Sequence, residues 1–470
     1  MLNFGEKFNA FIKKAPAAVC LRAILQRLLP AEKLDQLFND AAKTQYEKTL
    51  LFSTLMTLMF DVTLKSTPSI RKSYLMHQNE VPVSLSAVYQ KLNNLEPNVA
   101  AELVRYGAKR LRPVLQLADG EKTPLVPGLR TIIVDGNHFS GTQHRLVETR
   151  HHHAAPLPGF AIALYDPQCE MILDLIPCED GHAQERAFLD DLAERVQAND
   201  LWIADRNFCT VDFLFAIKPK NAYFLIRHHG WLKKWEAEGE QKHVGTTSTG
   251  EIYEQQIRLV NDAGDKMFLR RITVHLFTKT RDGDTEIHLL TNASKRQLPS
   301  VRGSECYRER WGIEGMFLEL TQSLQCEVDT LSYPKAAIFA FSLAVLAYNA
   351  MSLFRGILGG VYGFEYVEQK LSWNILCGET SSVWRGMEIA IDGSAWSHRI
   401  DVLTDGQFAA FLRSLCEQLD FSRYPKSHRG PKKKVVKKFD PNVTHVSTAR
   451  ILEERKTKNK IRAKSTKKSP

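Results

Sequence analysis

Three carboxylates close three unlike segments of this 470-residue chain. Asp135 ends the run Thr131-Ile-Ile-Val-Asp135, and Asp205 ends Leu201-Trp-Ile-Ala-Asp205. Glu314 stands in Tyr307-Arg-Glu-Arg310-Trp-Gly-Ile-Glu314. Each aspartate follows a short apolar run without charge, the pattern of a buried strand that delivers one carboxylate to the edge of a sheet. A turn former or a helix N-cap leaves the same trace. The third segment reads as a helix, on which Tyr307, Arg310, Glu314 and Thr321 follow one another at three, four and seven residues and so share one face. Carboxylates gathered at one place repel unless a cation neutralises them, and hard oxygen donors suit Mg2+ or Mn2+. The chemistry of such a set is metal-assisted phosphoryl transfer, with an arginine and a tyrosine able to hold phosphate or stack on a base beside the glutamate.

The elements that must position these groups follow an α/β order. After the Asp135 strand, residues 160–165 and 171–176 read as a strand pair around the turn Asp166-Pro-Gln-Cys. Residues 186–196 read as an amphipathic helix leading to the Asp205 strand, with a further strand near 222–227. Glu179, Asp180, His182 and Glu185 are spaced closely enough for a metal, yet acidic groups at a helix start favour a capping or supporting role. The 109 residues from Asp205 to Glu314 exceed one strand-helix step, so something is inserted. Residues 252–260, 266–277 and 285–290 there have strand-like composition. Trp231 and Trp235 are the tryptophans of that stretch, and either could stack on an unpaired base, although packing is the commoner fate of a lone Trp. Arg206 and Asn207, just past Asp205, are placed to meet the strand being cut or to fix the aspartate by hydrogen bonds.

These blocks, together with Val134-Asp-Gly-Asn-His138, residues 158–166 and 177–186, and Ala204-Asp-Arg-Asn-Phe208, resemble prokaryotic insertion-sequence transposases of the Asp-Asp-Glu class. The branch is the one with a Tyr-x2-Arg-x3-Glu-x6-Lys signature. Tyr307, Arg310 and Glu314 match its first three positions, and Thr321 stands where the lysine is expected. The resemblance covers residues 125–355 and implies a ribonuclease-H-like catalytic core with a β-rich insertion, preceded by an all-helical N-terminal domain and followed by a basic tail. It implies Asp135, Asp205 and Glu314 as catalytic metal ligands for Mg2+ or Mn2+. DNA contacts are expected from Tyr307, Arg310, Arg206, Asn207, His138, Trp231, Lys432, Lys433 and Lys434. The implied activity is cleavage at the ends of an insertion sequence and joining of the 3′-hydroxyl ends to target DNA. Its partners would be double-stranded DNA with terminal inverted repeats, target DNA and a second copy of the chain in the DNA complex. Two alternatives keep parts of this pattern: a metal-dependent nuclease that does not join strands, and an inactive DNA-binding derivative. The presence of all three carboxylates argues against the second.

The expected boundaries are a helical DNA-binding domain at 1–122, core at 123–229 and 301–357, and the insertion at 230–300. A helical region at 358–422 and a disordered basic tail at 423–470 follow. Within 1–122, helices are expected around 21–29, 34–38, 50–60 and 99–111. Residues 83–92 open on serine caps and carry Gln90, Lys91, Asn93 and Asn94 outward, as a recognition helix or simply a packing helix would. The net charge is +10, of which residues 423–470 hold +14, leaving the rest slightly acidic. Such a tail suits a polyanion-binding arm, or else a solubilising end. The eight cysteines include no Cys-x2-Cys pair, so neither a zinc site nor a disulfide framework is suggested. Residues 336–354 carry no formal charge, but Ser342, Tyr348, Asn349 and Ser352 favour a buried core helix over a membrane span. No secretory signal is visible, and a cytoplasmic, nucleoid-associated protein is expected.

Overall fold

Alternation along β1 (Arg130–His138) explains how an apolar run becomes a platform. Ile133 faces one hydrophobic core, while Ile132 and Val134 face another on the opposite side. In the parallel neighbour the same alternation puts Leu201 and Ile203 on the first side, Trp202 and Ala204 on the second. These strands are covered on both faces, which is why their sequences read as unbroken apolar runs. The structure is a computed structural model that describes residues 5–45, 49–232, 235–280, 283–322, 324, 328, 331–427 and 445–466.

The remaining main strands are β2 (Pro156–Leu157), β3 (Phe160–Asp166), β4 (Met171–Cys178), β5 (Asp200–Ala204) and β6 (Tyr223–Arg227). They are followed by β7 (Trp235–Ala237), β8 (Lys242–Thr247), β9 (Gly250–Val260), β10 (Lys266–Leu276) and β11 (Glu286–Thr291). All but β2 form one sheet in the order β4-β3-β1-β5-β6-β11-β10-β9-β7, with β8 also on β9. β3 runs antiparallel to both β4 and β1, whereas β1, β5 and β6 are mutually parallel. The register of β1 on β5 pairs Arg130 with Asp200 and Val134 with Ala204. Asp200 is fully buried at that point and accepts from Arg130 Nε and Nη2 at 2.7 and 2.9 Å, Gln197 N at 2.8 Å and Trp202 Nε1 at 3.2 Å. So many donors satisfy a carboxylate that would otherwise be expensive to bury.

The inserted strands do not form a separate unit. β11 pairs antiparallel with β6, so the insertion prolongs the core sheet, because the open edge of β6 offers a row of backbone groups that another strand can satisfy.

Among the described residues seven helices precede the sheet: α1 (Glu6–Lys14), α2 (Pro16–Leu28), α3 (Ala31–Ala41), α4 (Phe52–Thr63), α5 (Ile70–Met76), α6 (Leu85–Asn94) and α7 (Pro97–Leu117). α8 (Leu189–Arg195) and α9 (Val211–Ile217) cover the second face through Leu192, Phe213 and Leu214. The amphipathic segment expected over 186–196 therefore opens as a 3-10 turn, Glu185–Phe188, before α8 begins. α10 (Ser300–Arg308) and α11 (Trp311–Gln322) are two helices where one was expected. α12 (Pro334–Tyr362) follows, then α13 (Phe364–Lys370), α14 (Trp373–Ala390), α15 (Gly393–Ile400) and α16 (Asp405–Cys416).

α12 is the only described helix long and apolar enough to cross a membrane, and 94% of its most apolar window is buried inside the protein. It packs against α2, α4, α6, α7, α13, α16 and β4. The N-terminal helices therefore share one hydrophobic core with α12 and the sheet and do not stand apart as an independent domain. Nor does α6 present all its polar residues outward. Lys91 reaches inward to donate to Leu50 O at 2.7 Å and lies over the Phe38 ring.

The tail also departs from expectation. Residues 445–466, expected to be disordered, include a short strand, β12 (Val446–Ser447), parallel to β2, and a helix, α17 (Thr448–Thr466). Long-range anchors outweigh the local composition: Arg450 pairs with Asp180 at 2.8 Å, and Arg455 pairs with Glu148. Lys432, Lys433 and Lys434 lie outside the described residues.

Asn349, fully buried on α12, accepts from Ile172 N at 2.9 Å and donates to Ile172 O at 2.8 Å. It thereby closes the outer edge of β4. Asn349→Leu, of similar size, would leave both backbone groups of Ile172 buried and unpaired. The expected cost is about 2–4 kcal/mol in urea unfolding, against less than ~1 kcal/mol for Ser382→Ala on the surface.

Candidate active site

At one end of the parallel strands the chain gathers four carboxylates and one arginine. Asp135 belongs to β1, which runs on past it, and its Oδ1 accepts from Gly136 N at 3.0 Å. β5 stops at Ala204, and Asp205 caps the single turn Arg206–Phe208 by accepting from Asn207 N at 2.8 Å. The side-chain amide of the same asparagine donates to Glu185 Oε2 at 2.8 Å, and Arg186 Nε donates to Asn207 O at 3.2 Å. Asn207 thus binds the aspartate turn to the Glu185 turn.

Glu185 comes in over Gly136. A Cβ built at Gly136 would lie 2.3 Å from Glu185 Oε1 and 2.6 Å from the Phe160 ring, so glycine is what lets this carboxylate approach. The helix-start role expected for Glu185 is therefore the smaller part of its position, since its side chain points to the Asp135 end of β1. Adjacent to β4 in sequence, it carried no apolar-run signal; only its place among the acidic residues of 179–185 marked it.

Glu314 sits on α11, which packs on β1. Between α10 and α11 the backbone tightens into i→i+3 bonds, from Glu309 N to Cys306 O and from Arg310 N to Tyr307 O, both 3.1 Å. This break turns Arg310 into the protein. Its Nη1 donates to Asp135 Oδ2 at 3.1 Å and its Nη2 to Glu314 Oε1 at 2.7 Å. The single arginine holds the strand carboxylate and the helix carboxylate together, and its guanidinium lies 5.1 Å from the centre of the Trp311 ring.

Tyr307 and Arg310 stay neighbours, the guanidinium 6.0 Å from the centre of the tyrosine ring, but both side chains lie inside the protein. Tyr307 is 7% exposed and Arg310 8%, so the tyrosine has no face open to a base and the arginine faces carboxylates where phosphate was expected. The side chain of Thr321 lies outside the described residues. His138 is exposed, donates from Nδ1 to Gly181 O at 3.1 Å and packs on Phe160. Arg206 and Asn207 are exposed at the rim. The two tryptophans divide between surface and packing. Trp231 is 79% exposed, whereas Trp235 packs between His228 and Arg271.

Burial pushes the Asp135 carboxyl up to about 7; Arg310 opposes the shift, and the nearby Asp205 and Glu185 add to it. Glu185 is raised too, first by burial, with Asp205 contributing and the Asn207 amide opposing. Among the described residues Arg310 is the guanidinium that bonds to these carboxylates, on Asp135 and Glu314, and its charge does not offset the shift at Asp135. Hard, crowded oxygen donors short of counter-charge fit Mg2+ or Mn2+ by their chemistry. With Arg310 between Asp135 and Glu314, no three His, Cys, Asp or Glu side chains among the described residues are gathered closely enough to hold an ion.

Residues 127–350 match the family described as Transposase DDE domain. Among solved structures, the chain is similar to a piggyBac transposase synaptic complex with hairpin DNA, at TM-score 0.38 and 9% identity over 90% of this chain and 88% of that one. No curated protein matches it.

The raised Asp135 carboxyl sets a pH dependence. An unfolded aspartate titrates near ~3.9, so the stability carried by the protonated form is complete below about pH 4 and is lost as pH rises through about 7. Asp135→Asn stays neutral and keeps an acceptor for Arg310. In chelator at about pH 8 it should be more stable than the parent by ~1–3 kcal/mol, the gap closing toward about pH 5. Urea unfolding at both pH values checks this; a gap independent of pH removes Asp135 as the group under strain.

Proposed function

We propose that the chain is a DNA transposase that cleaves at the ends of an insertion sequence and joins the released 3′-hydroxyl ends to target DNA. The observation that carries the reading is the meeting of Asp135 and Glu314 on Arg310, beside Asp205, within the segment that matches the DDE family. The order and directions of β4-β3-β1-β5-β6, with two carboxylates at the ends of the adjacent parallel strands, support a ribonuclease-H-like core as its scaffold.

Asp135, Asp205 and Glu314 are the residues that would hold Mg2+ or Mn2+. Bound there, the ions would supply charge neutralisation at phosphorus, activation of the attacking oxygen and stabilisation of the leaving oxygen. For Glu314 to share an ion with Asp135, Arg310 has to leave the space between them. Its two N–H donors are then available to a phosphate, which a planar guanidinium binds in bidentate fashion. Asn207 holds Asp205 and Glu185 in fixed orientation throughout. At the rim, Arg206 would meet a phosphate, and exposed Trp231 offers a flat surface to an unpaired base. Terminal inverted repeats, target DNA and a second copy of the chain are the partners of this reading, and a cytoplasmic, nucleoid-associated location goes with it.

The test uses the full chain, Mg2+ and duplexes carrying the terminal inverted repeats of the element, with a plasmid as target. Strand cleavage followed by joined product is expected. Asp135→Asn and Glu314→Gln should reduce cleavage to background and leave duplex binding within about twofold, since they remove metal ligands and not phosphate contacts. Cleavage without joined product would assign a nuclease, and no cleavage by the parent would overturn the reading.

A further inference from the structure

Arg310 takes up the space that a cation shared by Asp135 and Glu314 would need. Its Nη1 and Nη2 each hold one carboxylate oxygen, at 3.1 and 2.7 Å, so one planar guanidinium spans both groups. Mg2+ draws its oxygen ligands in to about 2.0–2.1 Å, an approach closed to this pair while the arginine lies between them. Arginine and metal ion therefore compete for the same two oxygens.

The two ends of the bridge differ. The Asp135 side chain is 14% exposed and that of Glu314 41%, so the guanidinium is gripped from within by one carboxylate and borders solvent beside the other. Trp311, 62% exposed, lies next to it with its ring centre 5.1 Å from the guanidinium, a flat surface on the way outward. The helix below is fixed. Ile313, Met316 and Leu320 of α11 are buried, and Glu319 accepts from Arg355 of α12 at 2.6 Å. The part free to move is thus the arginine side chain, and the two carboxylates it leaves stand on elements that stay in place.

We propose that Arg310 is a latch, an internal counter-ion that keeps divalent ions out of the carboxylate site until a phosphodiester of the DNA draws it away. A phosphate offers the guanidinium a new partner of the same bidentate geometry, so the arginine exchanges one pair of oxygens for another. An arginine that bridges about nine-tenths of the time makes the free chain bind the ion about tenfold more weakly than the open site would. Linkage then requires ion and phosphodiester to strengthen each other by one common factor. The outcome is an order of events: the chain alone loads its site poorly, and metal uptake is completed once a strand lies across the start of α11. The inference rests on the reading of these carboxylates as a metal site for DNA chemistry, and adds its control.

The experiment measures Mn2+ binding to the full chain without DNA, by electron paramagnetic resonance of the free ion. Arg310→Gln should bind Mn2+ about tenfold more tightly than the parent. Arg206→Gln removes an equal charge at the exposed rim and should stay within about twofold, because solvent and salt screen it. Arg310→Lys keeps the charge for folding but lacks the planar fork; a gain of about threefold there keeps the test open should the Gln variant not fold. In the reciprocal arm, Ca2+ in place of chelator should raise duplex affinity about tenfold for the parent and less than about threefold for Arg310→Gln. Inorganic phosphate should change the Mn2+ affinity of the parent by less than about twofold; a tenfold rise would make free phosphate the releasing ligand and overturn the DNA assignment. Parent-like Mn2+ affinity in both Arg310 variants, or an equal gain in Arg206→Gln, overturns the latch. Either result beside a parent that cleaves and joins the terminal repeats leaves the proposed function intact. Tighter Mn2+ binding by Arg310→Gln beside a parent that cleaves no DNA leaves the latch standing and removes that function.

Discussion

α12 is apolar around its whole circumference, and a helix of that kind has to be enclosed on every side. The need for cover recruits α2, α4, α6 and α7 from the N-terminal part, α13 and α16 from the C-terminal part, and β4 from the sheet. Its buried serines and asparagine each find a partner. Ser342 bonds back to Phe339 O, Asn349 closes Ile172, and Ser352 donates to Glu170 O. Toward its end Arg355 donates to Glu319 on α11 at 2.6 Å while lying 4.4 Å from the Trp373 ring centre. The helix that carries Glu314 is thus tied to the same pillar that organises the core, and the placement of a surface carboxylate depends on a deeply buried element.

The gathered carboxylates work against the tendency that builds the rest of the fold. At two other points buried charge is compensated at close range: Asp200 by four donors, and Arg270 by Glu254, Ser300 and two carbonyls. Around Asp135 the positive charge falls short: Arg310 opposes the shift, yet burial, with Asp205 and Glu185 adding to it, still pushes the carboxyl up. A place where electrostatic compensation is incomplete is a place the fold maintains at some cost to stability, and such places cluster where ligands are taken up.

Short-range patterns made much of this visible in the chain itself. A run of apolar residues followed by one aspartate marks a buried strand, so β1 and β5 could be read directly, as could the hairpin of β3 and β4, although β1 runs on past Asp135 to His138 and β5 stops one residue short of Asp205. Helical spacing located Glu314 for the same reason. What escaped depends on contacts far apart in sequence. Helical spacing put Tyr307 and Arg310 side by side but could not say which way they look, and both side chains are buried. Glu185 reaches β1 only because Gly136 has no side chain. The fate of Trp231 and Trp235 was settled by which of them met Arg271. For the C-terminus, composition argued for disorder, and pairing with Asp180 and Glu148, hundreds of residues away, decided otherwise.

The pairing of Arg130 with Asp200 has one more effect. From that pin to Asp135, and from it to Asp205, the two strands take the same number of residues and advance in parallel. The two aspartates are therefore levelled against each other by counting outward from a shared origin, as two rulers laid from one zero mark would be. Loss or gain of a single residue in either strand would displace one aspartate by a full strand step and turn the intervening apolar side chains to the wrong core. Sequence drift in these strands is free to change which apolar residue stands at a position, but not how many positions there are. Length, more than identity, is the quantity that this part of the chain has to conserve.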